Sequence, residues 1–252
     1  MKTKKIIVAG ILVKEAVYPR GSRYDTPRQR AAKRRLSSEA QKRMNAKYRK
    51  EKLELELAAN FMPGDLWVTL TFRDADLPAD EKSVDAKMKA FLRRFRQAKR
   101  RARPVVCWRA EHKHGHEDPR MDVRWHVHCC ITATGDDYDA IRRAWPYGDV
   151  VEIKPIRIDK ENSYAALAEY MIKEPLDRAG AHAWHITRNA KKPEVESFPV
   201  EDDTPLHAPK GAIVYEDARD SNCFGSWHYV KYVRTAAVKA SRKQRPKPKR
   251  RR

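Results

Sequence analysis

The stretch RWHVHCCI, residues 124–131, sets two histidines one residue apart among apolar neighbours. In a β-strand alternate side chains point to opposite faces, so His126 and His128 share one face while Val127 and Cys129 take the other. Two adjacent imidazoles repel when protonated and are poor core material when neutral, a conflict that a bound cation removes. The upstream run VVCWRAEH (residues 105–112) pairs naturally with WHVHCCIT (125–132) as a hairpin across the polar loop KHGHEDPRMDVR. In a suitable register Glu111 lies close to the histidines, and two imidazoles with one carboxylate suit a divalent, Lewis-acidic metal. The plainer alternative is a pair of histidines hydrogen-bonded in a half-buried sheet. A structural zinc site using His112, His114, His116, Cys129 or Cys130 is disfavoured because the cysteines are adjacent and finger spacing is missing.

Around this hairpin the pattern is mixed. LWVTLTF (66–72) alternates apolar and hydroxyl residues without charge, which predicts a central strand. Val84, Met88, Phe91, Leu92 and Phe95 recur at helical spacing, with Arg93, Arg94, Arg96, Lys99, Arg100 and Arg101 over much of the remaining surface. That basic helix is either a phosphate-contacting face or an ordinary solvated one. DDYDAIRRAW predicts a short helix capped by Asp136 or Asp137, GDVVEIKPIRI a strand, and YAALAEYMIK a helix capped by Ser163 and ended by Pro175. HAWHITRN (182–189) reads as a further strand, KPEVESFPVEDDTPLHAPKG as loop, and SWHYVKYVRTAAV as strand or helix. Hairpin neighbours interleaved with helices predict an α+β fold, a central, mainly antiparallel sheet with flanking helices.

The 252 residues carry 55 Lys and Arg against 34 Asp and Glu, a formal charge of +21, which points to a polyanionic partner. Four cysteines without a CxxC pair read as reduced thiols, and the expected compartment is cytoplasmic. The N-terminal MKTKKIIVAGILVKE imitates a signal peptide, but its apolar run of about eight residues meets Lys14 and Glu15 without a cleavage site, so it is read as a strand. No segment approaches the roughly 20 apolar residues of a membrane span. Residues 18–36 are an arginine-rich arm or connector, and 240–252 a basic tail expected to be disordered alone. No GxxxxGK[ST] phosphate loop is present.

The last motif is EYMIK (169–173). On a helix Tyr170 and Lys173 stand one turn apart, Tyr170 at the margin of a stripe formed by Tyr164, Leu167, Ala168 and Met171. A tyrosine hydroxyl, with an unperturbed pKa of about 10, is a weak nucleophile unless a nearby cation or a polarised target assists it. An ordinary helix edge, with Lys173 paired to Glu169, is the alternative.

LWVTLTF, WHVHCCI and EYMIK, in that order, resemble the rolling-circle replication initiators of the HUH endonuclease superfamily. NFMPGDLWVTLTF and HITRNAKKP look like segments of the plasmid and phage proteins of that group, and the resemblance spans roughly residues 50–195. It implies an antiparallel sheet with flanking helices, His126, His128 and Glu111 as ligands of Mg²⁺ or Mn²⁺, Tyr170 as nucleophile and Lys173 as its helper. It also implies nicking and rejoining of single-stranded or hairpin origin DNA, with a separate helicase and polymerase. Some relatives carry two catalytic tyrosines. Tyr164, six residues before Tyr170, points about 120° away by helical geometry, so a single nucleophile is expected. The implied organisation is an N-terminal strand, basic arm and helix (1–60), a nicking domain (61–195), a C-terminal extension packed on it (196–239) and the tail. A transposase or relaxase, or a non-enzymatic binder stacking bases on Trp108 and Trp125, are the alternative readings.

Overall fold

The computed structural model describes residues 1–20, 38–98, 103–113, 123–173, 182–222 and 225–235. Most of the arginine-rich arm, Lys99, Arg100, Arg101 and the basic tail lie outside them. The chain forms two compact units, Met1–Ala59 with Asp159–Ala165 and Lys192–Arg252, and Asn60–Ile158 with Ala166–Lys191.

The second unit holds the histidine strand. Its sheet runs in the order β6-β3-β5-β4-β7, with β3 at Leu66–Thr71, β4 at Val106–Lys113, β5 at Val123–Ile131, β6 at Val151–Pro155 and β7 at His185–Ile186, every pairing antiparallel. LWVTLT alternates buried and half-buried, because Leu66, Val68 and Leu70 face the core while Trp67, Thr69 and Thr71 face the other side. The core joins these residues and Val127, Cys129 and Ile131 to Val84, Met88, Phe91, Leu92 and Phe95 of helix α2 (Glu81–Ala98) and to Ile141, Ala144 and Trp145 at helix α3 (Tyr138–Ala144). One face of the sheet is thus covered by the basic helix, and the histidines lie on the opposite face. Gly148 allows a close backbone approach at the end of β3, since a Cβ there would stand 2.0 Å from the Thr71 carbonyl oxygen.

Two details depart from expectation. A 3₁₀ turn, Gly135–Asp137, precedes α3; Thr134 caps it, its N–H donating to Asp137 at 2.9 Å, and Asp137 makes no side-chain cap bond to α3 itself. The sheet count also differs. The N-terminal run does not end at Lys14 but folds back at Gly10, giving the hairpin β1 (Lys2–Ala9) and β2 (Leu12–Pro19). Gly10 has φ 58°, a left-handed turn position, and its missing Cβ leaves room for the Ala58 carbonyl of helix α1 (Ser38–Asn60). The hairpin joins β8 (Glu194–Val200), β9 (Ile213–Asn222) and β10 (Gly225–Val233) in a second antiparallel sheet, β8-β1-β2-β10-β9. Residues 194–200, expected as loop, therefore form a strand; as an edge strand β8 tolerates Pro199.

Candidate functional site

Register assembles the site. Glu111 on β4 lies directly across from His126 on β5, and His128 lies across from Thr69 of β3 on its other side. His126 Nε2 is 3.5 Å and His128 Nε2 3.3 Å from Glu111 Oε2. The two Nε2 atoms are 3.1 Å apart. The Arg124 carbonyl can only accept, so its 2.9 Å contact with His126 Nδ1 places that ring's proton on Nδ1 and leaves Nε2 with a lone pair when the ring is neutral. Thr69 Oγ1, 3.2 Å from His128 Nδ1, orients the second ring.

Glu111 and His128 are buried, His126 half-buried. Burial alone would push the Glu111 carboxyl up, but hydrogen bonds from His126, His128 and Lys173 outweigh it and hold the group well below the usual carboxylate range. For His126 burial acts downward, and the bonds to Glu111 and to the Arg124 carbonyl more than reverse it, raising its pKa. A carboxylate and two Nε2 atoms all lie within 4.8 Å of one another, a donor set of two nitrogens and one hard oxygen that could hold a divalent metal. No other group of three or more His, Cys, Asp or Glu side chains converges in this way among the described residues. Neither Cys129 nor Cys130 joins it; both are buried, and burial pushes their thiols up. His112 stacks on Trp125 at 4.5 Å, and His114 and His116 lie outside the described residues.

Helix α4, Tyr164–Met171, brings Tyr170 to the same face. Its ring meets His128 edge-on at 5.1 Å and Trp67 at 5.6 Å, while Trp67 stacks on His128 at 5.2 Å. Tyr170 stays 48% exposed, whereas Tyr164 on the same helix is 0% exposed. Lys173 differs from expectation: its Nζ bonds Glu111 Oε1 at 3.1 Å and lies 4.7 Å above the Tyr170 ring, so it links carboxylate and tyrosine. Trp67 and Thr69 were not singled out in the sequence, although their alternation in LWVTLTF carried the signal.

The arginines of α2 do not join this group. Arg94 donates to the Tyr147 hydroxyl at 2.7 Å and lies over its ring. Arg93 and Arg96 are exposed on the helix that covers the far face of the sheet. Trp108 is 8% exposed with His185 stacked on it at 5.1 Å, so its face does not offer a platform for bases.

An antiparallel sheet displaying a Glu-His-His cluster beneath an exposed tyrosine defines a candidate metal-assisted centre of an α+β protein. Residues 65–175, which hold this cluster and the tyrosine, match the family model of the replication-associated protein ORF2. The match supports a replication-initiator family and, with it, DNA binding. No curated protein and no solved structure matches the chain at a significant level. Among the described residues no helix is long and apolar enough to cross a membrane.

Proposed function

We propose that the chain is a rolling-circle replication initiator of the HUH type, which nicks and rejoins single-stranded or hairpin origin DNA through Tyr170. The observation that carries this reading is the convergence of Glu111, His126 and His128 within 4.8 Å on the sheet face that also presents Tyr170. A divalent ion, Mg²⁺ or Mn²⁺, held by these three side chains would supply Lewis-acid polarisation of the scissile phosphate. Lys173 keeps Glu111 ionised as a ligand and favours negative charge developing on the tyrosine. Trp67 and His128 fix the ring from its edges.

In the forward step the Tyr170 oxygen forms a bond to phosphorus and loses its proton to solvent. The bond from phosphorus to the 3′-oxygen breaks, and that oxygen takes up a proton to become the 3′-hydroxyl that primes synthesis. The 5′-phosphotyrosine link stores the bond energy, so attack by a 3′-hydroxyl rejoins the ends without ATP. Strand separation and synthesis fall to a separate helicase and polymerase.

The test is a denaturing protein gel after incubation with labelled single-stranded oligonucleotides from the chain's own replicon. A labelled band that needs Mn²⁺, vanishes in EDTA and is missing with Tyr170→Phe is the expected result. DNA that binds under every metal condition without forming the band would replace this reading with that of a binding protein.

A further inference from the structure

The basic helix, set apart from the tyrosine by the sheet, has its own setting. Arg96 lines a cavity of about 640 Å³ together with Leu92, Arg103, Trp108, Thr187 and Arg188. The frame is rigid. Thr187 bonds the start of β4 twice, its N–H donating to the Val106 carbonyl at 3.0 Å and its hydroxyl accepting from Val106 N–H at 3.1 Å. Ala190 N–H closes a turn onto the Thr187 carbonyl at 3.0 Å, and the Asn189 amide donates to the Arg103 carbonyl at 2.9 Å, which ties the backbones that carry Arg103 and Arg188.

Trp108 supplies the second observation. Its indole Nε1 is buried, and it has no hydrogen-bond acceptor among the described residues. An unsatisfied buried donor costs about 1–3 kcal/mol, so a partner at this position has something to offset. Indole and guanidinium groups can only donate, and no carboxylate lines the cavity. The missing partner is therefore an acceptor carrying negative charge, and on a chain of charge +21 that handles DNA a phosphate meets both conditions.

We infer that this cavity is a phosphate-binding site for DNA, formed by Arg96, Arg103, Arg188 and the Trp108 N–H on the sheet face away from Tyr170. The inference rests on the DNA-binding part of the proposed function and is independent of its tyrosine chemistry.

The test uses the full chain carrying Tyr170→Phe, with anisotropy of a labelled oligothymidylate in EDTA measured across a salt series. Replacing Arg103 and Arg188 together by Gln is expected to weaken binding about tenfold, as charge-assisted bonds to phosphate are lost. The slope of log affinity against log salt should fall by about 0.7 for each phosphate contact removed. Trp108→Phe keeps the ring and loses a neutral donor, so affinity should fall about threefold with the slope unchanged. An unchanged affinity and slope in the double variant, with a native circular dichroism spectrum, would overturn the site. Unchanged binding by Trp108→Phe would remove the indole from it. Competition by dTMP as effective as that by the oligonucleotide would overturn the assignment to DNA and give the cavity to a free nucleotide. Adduct formation by the double variant with Tyr170 intact, at saturating oligonucleotide, reports on the nicking reading separately.

Discussion

Both five-stranded sheets bury charged side chains, and they handle them in opposite ways. In the N-terminal unit Lys14 is 4% and Glu54 3% exposed, and the two pair at 2.8 Å, with Lys231 3.4 Å from the other Glu54 oxygen and Glu51 3.3 Å from Lys14. Each charge there meets its opposite. In the other unit Glu111 faces Lys173 on one oxygen, while its second oxygen and two imidazole nitrogens converge on one small volume. Burial of charge alone therefore does not mark a site; convergence of lone pairs does. The first cluster is expected to serve stability and the second chemistry.

The sharpest way to break that comparison is Glu54→Gln, which leaves Lys14 and Lys231 without their shared counter-charge. It should destabilise the N-terminal unit by about 3–5 kcal/mol, the cost of removing one partner of a buried ion pair. Urea unfolding measures it, and Mn²⁺ binding should survive wherever the fold does. Glu111→Gln should do the reverse, weakening Mn²⁺ binding about a hundredfold by calorimetry, equivalent to about 2.7 kcal/mol, with little change in the unfolding midpoint. Equal losses of stability in the two variants would erase the distinction.

Gly148→Ala tests the support beneath the site. A methyl group there must displace the backbone at Thr71, the residue paired with His126, so stability should fall by about 1–3 kcal/mol and metal affinity should fall with it. Gly10→Ala strains the β1–β2 turn against Ala58 and should leave metal affinity alone. The smallest expected effect is Thr69→Val, which removes the partner of His128 Nδ1. Metal affinity should drop about tenfold, as for other groups that orient a ligand from behind. Titration with Mn²⁺ distinguishes these outcomes.

Local periodicity made part of this design legible. The alternation in WHVHCCI puts both histidines on one face, and EYMIK puts Tyr170 and Lys173 one turn apart, because each pattern needs only its own strand or helix. Glu111 was visible as a neighbour conditional on register, and the structure supplies that register by pairing it with His126. What lies further apart in sequence was hidden. Thr69 and Trp67 reach His128 across a pairing between strands some 59 residues apart, which no local pattern encodes. The N-terminal hairpin takes its partner β10 from |i−j| above 200, so one sheet was expected where two exist. β8 was hidden by its composition, because EVESFPV carries two glutamates and a proline that suit an exposed edge. Arg94 illustrates the converse: its charge suggested phosphate, and the structure commits it to Tyr147.

The central claim is that Tyr170 is the residue that receives DNA. Its most direct test is peptide mapping by mass spectrometry of the adduct formed with a single-stranded origin oligonucleotide in Mn²⁺, after nuclease digestion. A nucleotide remnant on the tyrosine of the peptide containing Tyr170, with the buried Tyr164 unmodified, is the result this structure predicts. A remnant on any other residue would contradict it.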